Sequence, residues 1–184
     1  GCWGESAVSG RRFDFVAEGV ASRDDALHRL GGPLTVRVGE AVDVLAALHA
    51  EVGFDRVISH EETGSAWTYA RDRAVAAWCR ANSVVWEELA QSGVVRRLNG
   101  RDGWAKQRNA FLRQPQVDVP ARLSGPDVSS DAVPRLVGAH ACPQRPRGRP
   151  DMALSLLGPF PTQRRHRYRQ DLASPVTGET SFSP

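Results

Sequence analysis

Two adjacent carboxylates, Glu61 and Glu62, follow a short run rich in β-branched residues at 56–59. Such a run is typical of a buried strand. Thr63 and Gly64 then separate the pair from a helix-compatible segment, so the carboxylates stand where a strand ends and a helix begins. In open α/β sheets, ligands bind at this end of the strands. A carboxylate there accepts hydrogen bonds from the N–H groups of a ligand such as a pterin or a purine.

The same two carboxylates also have a structural interpretation. Acidic residues are common in the first turn of a helix, where they stabilise the positive end of the helix dipole. Judged by residue types alone, this interpretation is the commoner one. Glu61 and Glu62 are therefore candidates both for a ligand site and for a helix start.

The elements that must position this pair alternate along the chain. Apolar spacing predicts helices at residues 12–30, 40–52, 65–79, 103–113 and 152–157, and β-branched runs predict strands at 34–38, 56–59 and 84–86. Strands that alternate with helices of this length indicate βαβ units and a parallel sheet, so the predicted fold class is α/β. Residues 114–149 are rich in Pro, Gly and Ser without sustained periodicity, which predicts a long linker.

Composition narrows the class of protein. The 184 residues carry a net charge of +3 and are 41% hydrophobic, which is adequate for a packed core. The sequence contains neither an apolar run long enough to span a membrane nor the layout of a signal peptide. Three cysteines at wide spacings, without a C-x-x-C pair, favour neither a disulfide scaffold nor a zinc site. We therefore expect a cytoplasmic protein without a metal.

Several blocks of the sequence resemble the photolyase/cryptochrome family. They lie at residues 61–64, 67–69, 71–72, 93–98 and 101–105, and a further block at 174–181 is similar to the start of that family's flavin-binding region. The blocks occur in the family's order and cover most of the chain. The last block departs from the family pattern: it continues with Phe182, Ser183 and Pro184 and lacks the arginine that relatives have there.

The resemblance implies a domain organisation. Residues 1–113 would form a Rossmann-like, doubly wound α/β antenna domain, residues 114–150 a linker, and residues 151–184 the start of a helical FAD-binding domain. The family's strand order is 3-2-1-4-5, and its first two strands have no counterpart here. The three predicted strands would then be the third, fourth and fifth of a truncated sheet. Alternatively, the strand at 34–38 pairs directly with the strand at 56–59, giving three adjacent strands.

Truncation has a physical consequence. Buried backbone groups left without partners cost ~1–3 kcal/mol each, whereas a whole domain is stable by only ~5–15 kcal/mol. We therefore expect a fragment that is marginally stable or prone to aggregation by itself.

The resemblance also implies a function. Family members use light and FAD to repair cyclobutane pyrimidine dimers in ultraviolet-damaged DNA, flipping the dimer out of the duplex. Many carry a folate- or deazaflavin-type antenna chromophore in the α/β domain. Glu61 and Glu62 lie where an antenna contact would lie, and Tyr168, Thr180 and Ser181 resemble the first contacts to the FAD phosphates. Because the catalytic helical domain is lacking, we expect no catalytic residue, no bound cofactor and a monomer.

Two questions stay open at the level of sequence. The chain could instead be a catalytically silent, nucleotide-binding-like α/β remnant with no light chemistry. Its arginines at positions 145, 147, 149, 164, 165, 167 and 169 could follow a DNA backbone, although a solvated linker and helix face is the simpler interpretation.

Overall fold

The structure is a computed structural model that describes residues 10–96, 98, 100, 102–134 and 147–166. The described residues belong to two compact units. One unit is Arg37–Pro120, and the other lies within residues 1–36 and 121–184. The domain boundaries expected at 113 and 150 remain predictions.

The described residues form five α-helices and two strands, joined by loops. In chain order they are α1 (Gly10–Arg29), α2 (Ala41–Val52), β1 (Arg56–His60), α3 (Ala66–Ala81), β2 (Val85–Leu89), α4 (Trp104–Leu112) and α5 (Pro150–Leu157), with a π-helical turn at Phe160–Arg164. All five predicted helices are confirmed, as are the strands predicted at 56–59 and 84–86. None of the described helices is both long and apolar enough to cross a membrane.

The strand predicted at residues 34–38 does not form, so that prediction is wrong. The N–H group of Leu34 donates to Oδ1 of Asp24, and that of Val36 donates to Oγ of Ser130, each at 2.9 Å. The carbonyl of Val36 accepts from the N–H group of Asp131 at 2.8 Å. The β-branched run predicts an extended backbone, but nearby side chains satisfy the N–H groups that a ladder would need.

In the unit Arg37–Pro120, β1 and β2 pair in parallel, with Arg56 opposite Val85 and His60 opposite Leu89. The sheet has two strands in the described residues, not three, so the alternative of three adjacent strands that include 34–38 is also wrong. The crossover through α3 is the predicted βαβ unit. The parallel sheet is confirmed in these two strands, and the family strand order implied by the resemblance remains a prediction.

The core of this unit lies where α2 and α3 pack on one face of the sheet. Val75 and Cys79 of α3 are buried with Val84, which precedes β2. Partly buried apolar residues surround them: Ala41, Val42, Leu45, Phe54, Val57, Trp78 and Trp86. Burial alternates along both strands, so every second residue faces this core and the residues between them are exposed.

Turns fix the ends of the helices next to the core. α2 ends at Gly53, whose φ of 69° is in the left-handed region and whose N–H group donates to the carbonyl of His49. α3 begins at Ser65, whose side chain accepts from the N–H group of Thr68. These two ends set the lengths of the loops before β1 and after it.

In the other unit, α1 packs against the backbone that enters α5. The N–H group of Gly148 donates to Oε2 of Glu18 at 2.8 Å, and Arg147 pairs with Oε1 of the same carboxylate at 2.8 Å. Added at Gly148, a Cβ would collide with the carbonyl of Phe15. Only glycine therefore permits this approach of two backbones.

Candidate functional site

The candidate site lies at the carboxyl ends of β1 and β2. Because the two strands are parallel, these ends meet at one edge of the sheet. The N–H group of Glu61 donates to the carbonyl of Leu89 at 2.9 Å, so Glu61 lies directly beyond the paired strands. A cleft of about 680 Å³ opens at this edge. Its walls come from residues 61–65, the first turn of α3, Glu88, Val94 and Arg96.

Arg96 fastens three elements around the cleft. Its Nε atom donates to the carbonyl oxygen of Glu62 at 2.7 Å, its Nη1 atom to Oε1 of Glu88 at 2.8 Å, and its Nη2 atom to Oδ2 of Asp72 at 3.2 Å. These acceptors belong to the loop after β1, to β2 and to α3. One guanidinium therefore sets the positions of two cleft walls, using the fixed fork of donors that arginine alone provides.

Asp72, a buried residue of α3, accepts hydrogen bonds from Arg96 and from Arg71. It is the buried charged residue of the described chain, with 9% of its surface exposed. Its Oδ1 atom accepts from Nε and Nη2 of Arg71, at 3.1 and 2.8 Å. Its other oxygen accepts from Arg96, so two guanidinium groups compensate the buried carboxylate.

Glu62 folds back over the start of α3. An ideal Cβ at Gly64 would lie 2.8 Å from Oε1 of Glu62 and 3.1 Å from Oγ1 of Thr68, so glycine leaves room for this carboxylate. The second oxygen of Glu62 lies 3.7 Å from Nη2 of Arg71. Glu62 thus lines the cleft and its side chain approaches α3, but it lies three residues before the N-cap Ser65. The first turn of α3 carries no acidic residue, so the helix-start interpretation of Glu61 and Glu62 is wrong.

Glu61 has a different environment. It lines the main cleft and also a second cavity of about 210 Å³, which is formed with Ala90, residues 92–96, Gln107 and Phe111. Within the described residues no side chain pairs with its carboxylate. Glu61 is therefore the acceptor that this edge of the sheet leaves available to a ligand.

Trp67, Trp104 and His60 lie outside the cleft, whereas Tyr69, which belongs to the same family block as Trp67, lines it. Trp67 and Trp104 are exposed, each beneath an arginine, with Arg71 5.9 Å and Arg108 5.6 Å from the respective ring centroids. His60 is exposed on the opposite face of the sheet. Tyr168, Thr180 and Ser181 lie outside the described residues, so their predicted FAD contacts remain predictions.

Sequence reasoning missed Glu88. The predicted strand stopped at residue 86, whereas β2 continues to Leu89 and carries Glu88 to the edge of the sheet. The signal was available in the two-residue period of a strand, because Glu88 shares a face with Trp86. That face is fixed by a hydrogen bond of 3.0 Å from Nε1 of Trp86 to Oγ of Ser59.

The chemistry of the cleft is that of a binding site for hydrogen-bond donors. It presents the carboxylates of Glu61, Glu62 and Glu88, and its arginine is already engaged in three directions. Its volume lies within the roughly 300–1,000 Å³ of small-molecule sites. No cluster of possible metal ligands occurs in the part of the chain that the structure describes. This set of acceptors fits a neutral or cationic heterocycle with N–H groups better than it fits an anion.

Comparisons with known proteins identify a family from the sequence and a related fold among solved structures. A sequence profile of the DNA photolyase family matches residues 2–99. Among solved structures, a class III photolyase from Agrobacterium tumefaciens has the same fold, with a TM-score of 0.70 and 20% sequence identity. The similarity covers 96% of this chain and 41% of that photolyase, so the chain spans less than half the length of its structural relative. No curated protein matches the chain.

Proposed function

Because the chain belongs to the DNA photolyase family, we propose that it is the antenna-bearing portion of a photolyase- or cryptochrome-like flavoprotein. The full-length protein would repair cyclobutane pyrimidine dimers in damaged DNA with light and FAD. In this proposal, the present portion binds a folate- or deazaflavin-type chromophore in the cleft beyond β1 and β2. The chromophore would supply absorption of light and transfer of the excitation energy.

One observation supports the proposal: the carboxylate of Glu61, which has no partner within the described residues, lies at the edge of a cleft of about 680 Å³. Pterin and deazaflavin rings carry amide-type N–H groups, which donate to carboxylates in strong, charge-assisted hydrogen bonds. Glu61 would accept such a bond. Arg96 would not touch the ring, since its guanidinium already donates to Glu62, Glu88 and Asp72.

The walls of the cleft suit a flat ring. The apolar side chain of Val94 is half exposed, at 50%, and faces the loop that carries Glu61 and Glu62. A ring that entered there would cover this apolar surface and leave its N–H edge toward the carboxylates. Burial of apolar area and the charge-assisted bond would then act together.

The test is a titration of the purified chain with a reduced folate and with a deazaflavin, followed by the absorption and fluorescence of each probe. Glu61→Gln keeps the shape of the side chain and removes its charge, so we expect about tenfold weaker binding, equivalent to ~1.4 kcal/mol. Glu87→Gln is the matched control, because Glu87 is exposed on the opposite face of the sheet, paired with Arg56 at 3.2 Å.

The outcomes separate the proposal from its alternative. Binding of either probe that depends on Glu61 and not on Glu87 supports an antenna site and identifies its type. Absence of binding by both probes at millimolar concentration would rule out the antenna role and favour a silent α/β module, while membership of the family would stand.

A further inference from the structure

A second cleft, of about 760 Å³, lies between α1 and the start of α5. Three exposed arginines line it: Arg23 and Arg29 on α1, and Arg149 at the entry to α5. Among the described residues, the acidic side chain that lines it is Asp151, which pairs with Arg149 at 3.2 Å. The cleft is thus cationic and lies in the unit that lacks the candidate chromophore site.

We propose that this cleft contacts the phosphate backbone of duplex DNA without reading its sequence. This inference rests on the proposed function in one respect: the proposed function identifies the bound polyanion as DNA. The site itself is inferred from the arginines of the cleft. Arginine recognises phosphate through paired N–H donors, and such contacts supply the sequence-independent part of DNA affinity. Within the described residues, no carboxylate pairs with Arg23 or Arg29, so both guanidinium groups are available.

The spacing along α1 suits a polymer of phosphates. Arg23, Ala26 and Arg29 follow one another at intervals of three residues, and all three lie on the side of α1 that lines the cleft. The two arginines are about 9 Å apart along the axis at 1.5 Å per residue. Phosphates on one strand recur about every 3.4 Å of duplex axis, so this face spans two to three of them. The small side chain of Ala26 leaves the approach between the arginines open.

The acidic residues nearby do not cancel this charge. Asp25 is four positions from Arg29 and so lies on the same side of α1 as that residue, but it does not line the cleft and pairs with no arginine within the described residues. Glu18 is committed to Arg147 and to the N–H group of Gly148. The Arg149–Asp151 pair is exposed, at 61% and 64%, and an exposed pair of this kind holds its partners only weakly. Arg149 can therefore exchange its carboxylate for a phosphate.

The experiment measures binding of the full 184-residue chain to an undamaged, fluorescein-labelled duplex by anisotropy, between 50 and 200 mM NaCl (concentrations of about this range expose the salt slope). We expect Arg23→Gln/Arg29→Gln/Arg149→Gln to reduce the magnitude of the slope of log K against log [salt] by about 2 to 3. Each lost phosphate contact accounts for about 0.9 of that slope. Affinity at about 100 mM NaCl should fall on the order of 100-fold.

The matched control is Arg73→Gln/Arg80→Gln/Arg113→Gln, which removes the same charge from exposed arginines of the other unit. An equal loss in both triple variants would overturn the proposal, as would an absence of binding at the lowest salt. Displacement of the duplex by an equal charge of poly-glutamate peptide would overturn the assignment to nucleic acid. If the triple variant unfolds, Arg29→Gln alone should change the slope by about 1.

Chromophore titration of the same variants keeps the two proposals distinct. Loss of the salt slope with unchanged chromophore binding supports the DNA contact whatever the result for Glu61. An unchanged salt slope refutes the DNA contact and leaves the chromophore proposal untouched.

Discussion

Nη2 of Arg96 lies 3.2 Å from Oδ2 of Asp72, which joins the loop that closes the candidate cleft to the buried face of α3. The side chains of Arg96 and Asp72 are 23% and 12% exposed. The two residues are 24 positions apart in the sequence. Their contact therefore links a loop to α3, although the two segments are neither adjacent in the chain nor paired in the sheet. The shape of the cleft and the stability of the unit therefore depend on the same ion pair.

Asp72→Asn should destabilise the chain. The change leaves Arg71 and Arg96 without their shared anion in a partly buried site, and we expect the free energy of unfolding to fall by about 2 kcal/mol. Urea unfolding followed by far-ultraviolet circular dichroism measures this. Glu87→Gln is the control, because the Arg56–Glu87 pair is 55% and 45% exposed and should change stability by less than ~0.5 kcal/mol. Equal losses in the two variants would contradict the role given to Asp72.

Arg96→Lys tests whether the fork of arginine, and not its charge alone, shapes the cleft. A lysine keeps the charge but cannot direct donors to Glu62, Glu88 and Asp72 at once. We expect a loss of about 1–2 kcal/mol in unfolding free energy, together with weaker chromophore binding. A variant with full stability and full chromophore affinity would show that charge is sufficient.

Sequence patterns predicted the local elements better than their pairing. The apolar spacing of α1–α5 and the β-branched run of β1 each depend on neighbours along the chain, and all of these formed. Residues 34–38 carry the same kind of strand signal, yet Asp24 and Ser130 satisfy their N–H groups. Such long-range side-chain acceptors leave no trace in a local pattern.

The candidate site could be predicted only in part, because one of its main contacts also joins residues that are distant in the sequence. Glu61 and Glu62 follow a strand, and the parallel sheet brings them to the edge where ligands bind. The contact of Arg96 with Asp72 joins residues from a loop and a helix, and no spacing rule predicts it. The resemblance marked both residues as part of family blocks but gave no reason for their pairing.

Gly148→Ala should disrupt the packing of α1 against the entry to α5. A Cβ there would collide with the carbonyl of Phe15, which is backbone and cannot rotate away. We expect at least 2 kcal/mol of destabilisation, of the order seen for overpacking, and faster proteolysis between α1 and α5. Gly125→Ala is the control in the same unit, since an added Cβ meets no atom within 4 Å. It should be neutral or stabilise by up to ~1 kcal/mol, and equal effects at both positions would refute the packing argument.

Cys79 should make the free energy of unfolding of the chain fall as the pH becomes alkaline. Burial raises the pKa of its thiol, and the nearby charge of Arg80 opposes this only in part. The folded pKa therefore exceeds the unfolded value of about 8.5, so the thiol releases its proton more readily after unfolding. The thiol therefore contributes its full stabilisation of the fold at pH values below the unfolded pKa. This contribution declines as the pH rises through and above that pKa.

Cys79→Ala isolates this effect, because alanine cannot ionise and leaves only a small cavity in the core. We expect the wild type to be more stable by about 1 kcal/mol near pH 7, and the difference between the two chains to shrink near pH 9.5 as unfolded thiolate accumulates. Urea unfolding of both chains at the two pH values, under reducing conditions, measures the difference directly. A gap that stays constant would mean that the thiol of Cys79 titrates alike in the folded and unfolded states, and a gap that widens toward alkaline pH would mean that its folded pKa is the lower one; either result would contradict the prediction.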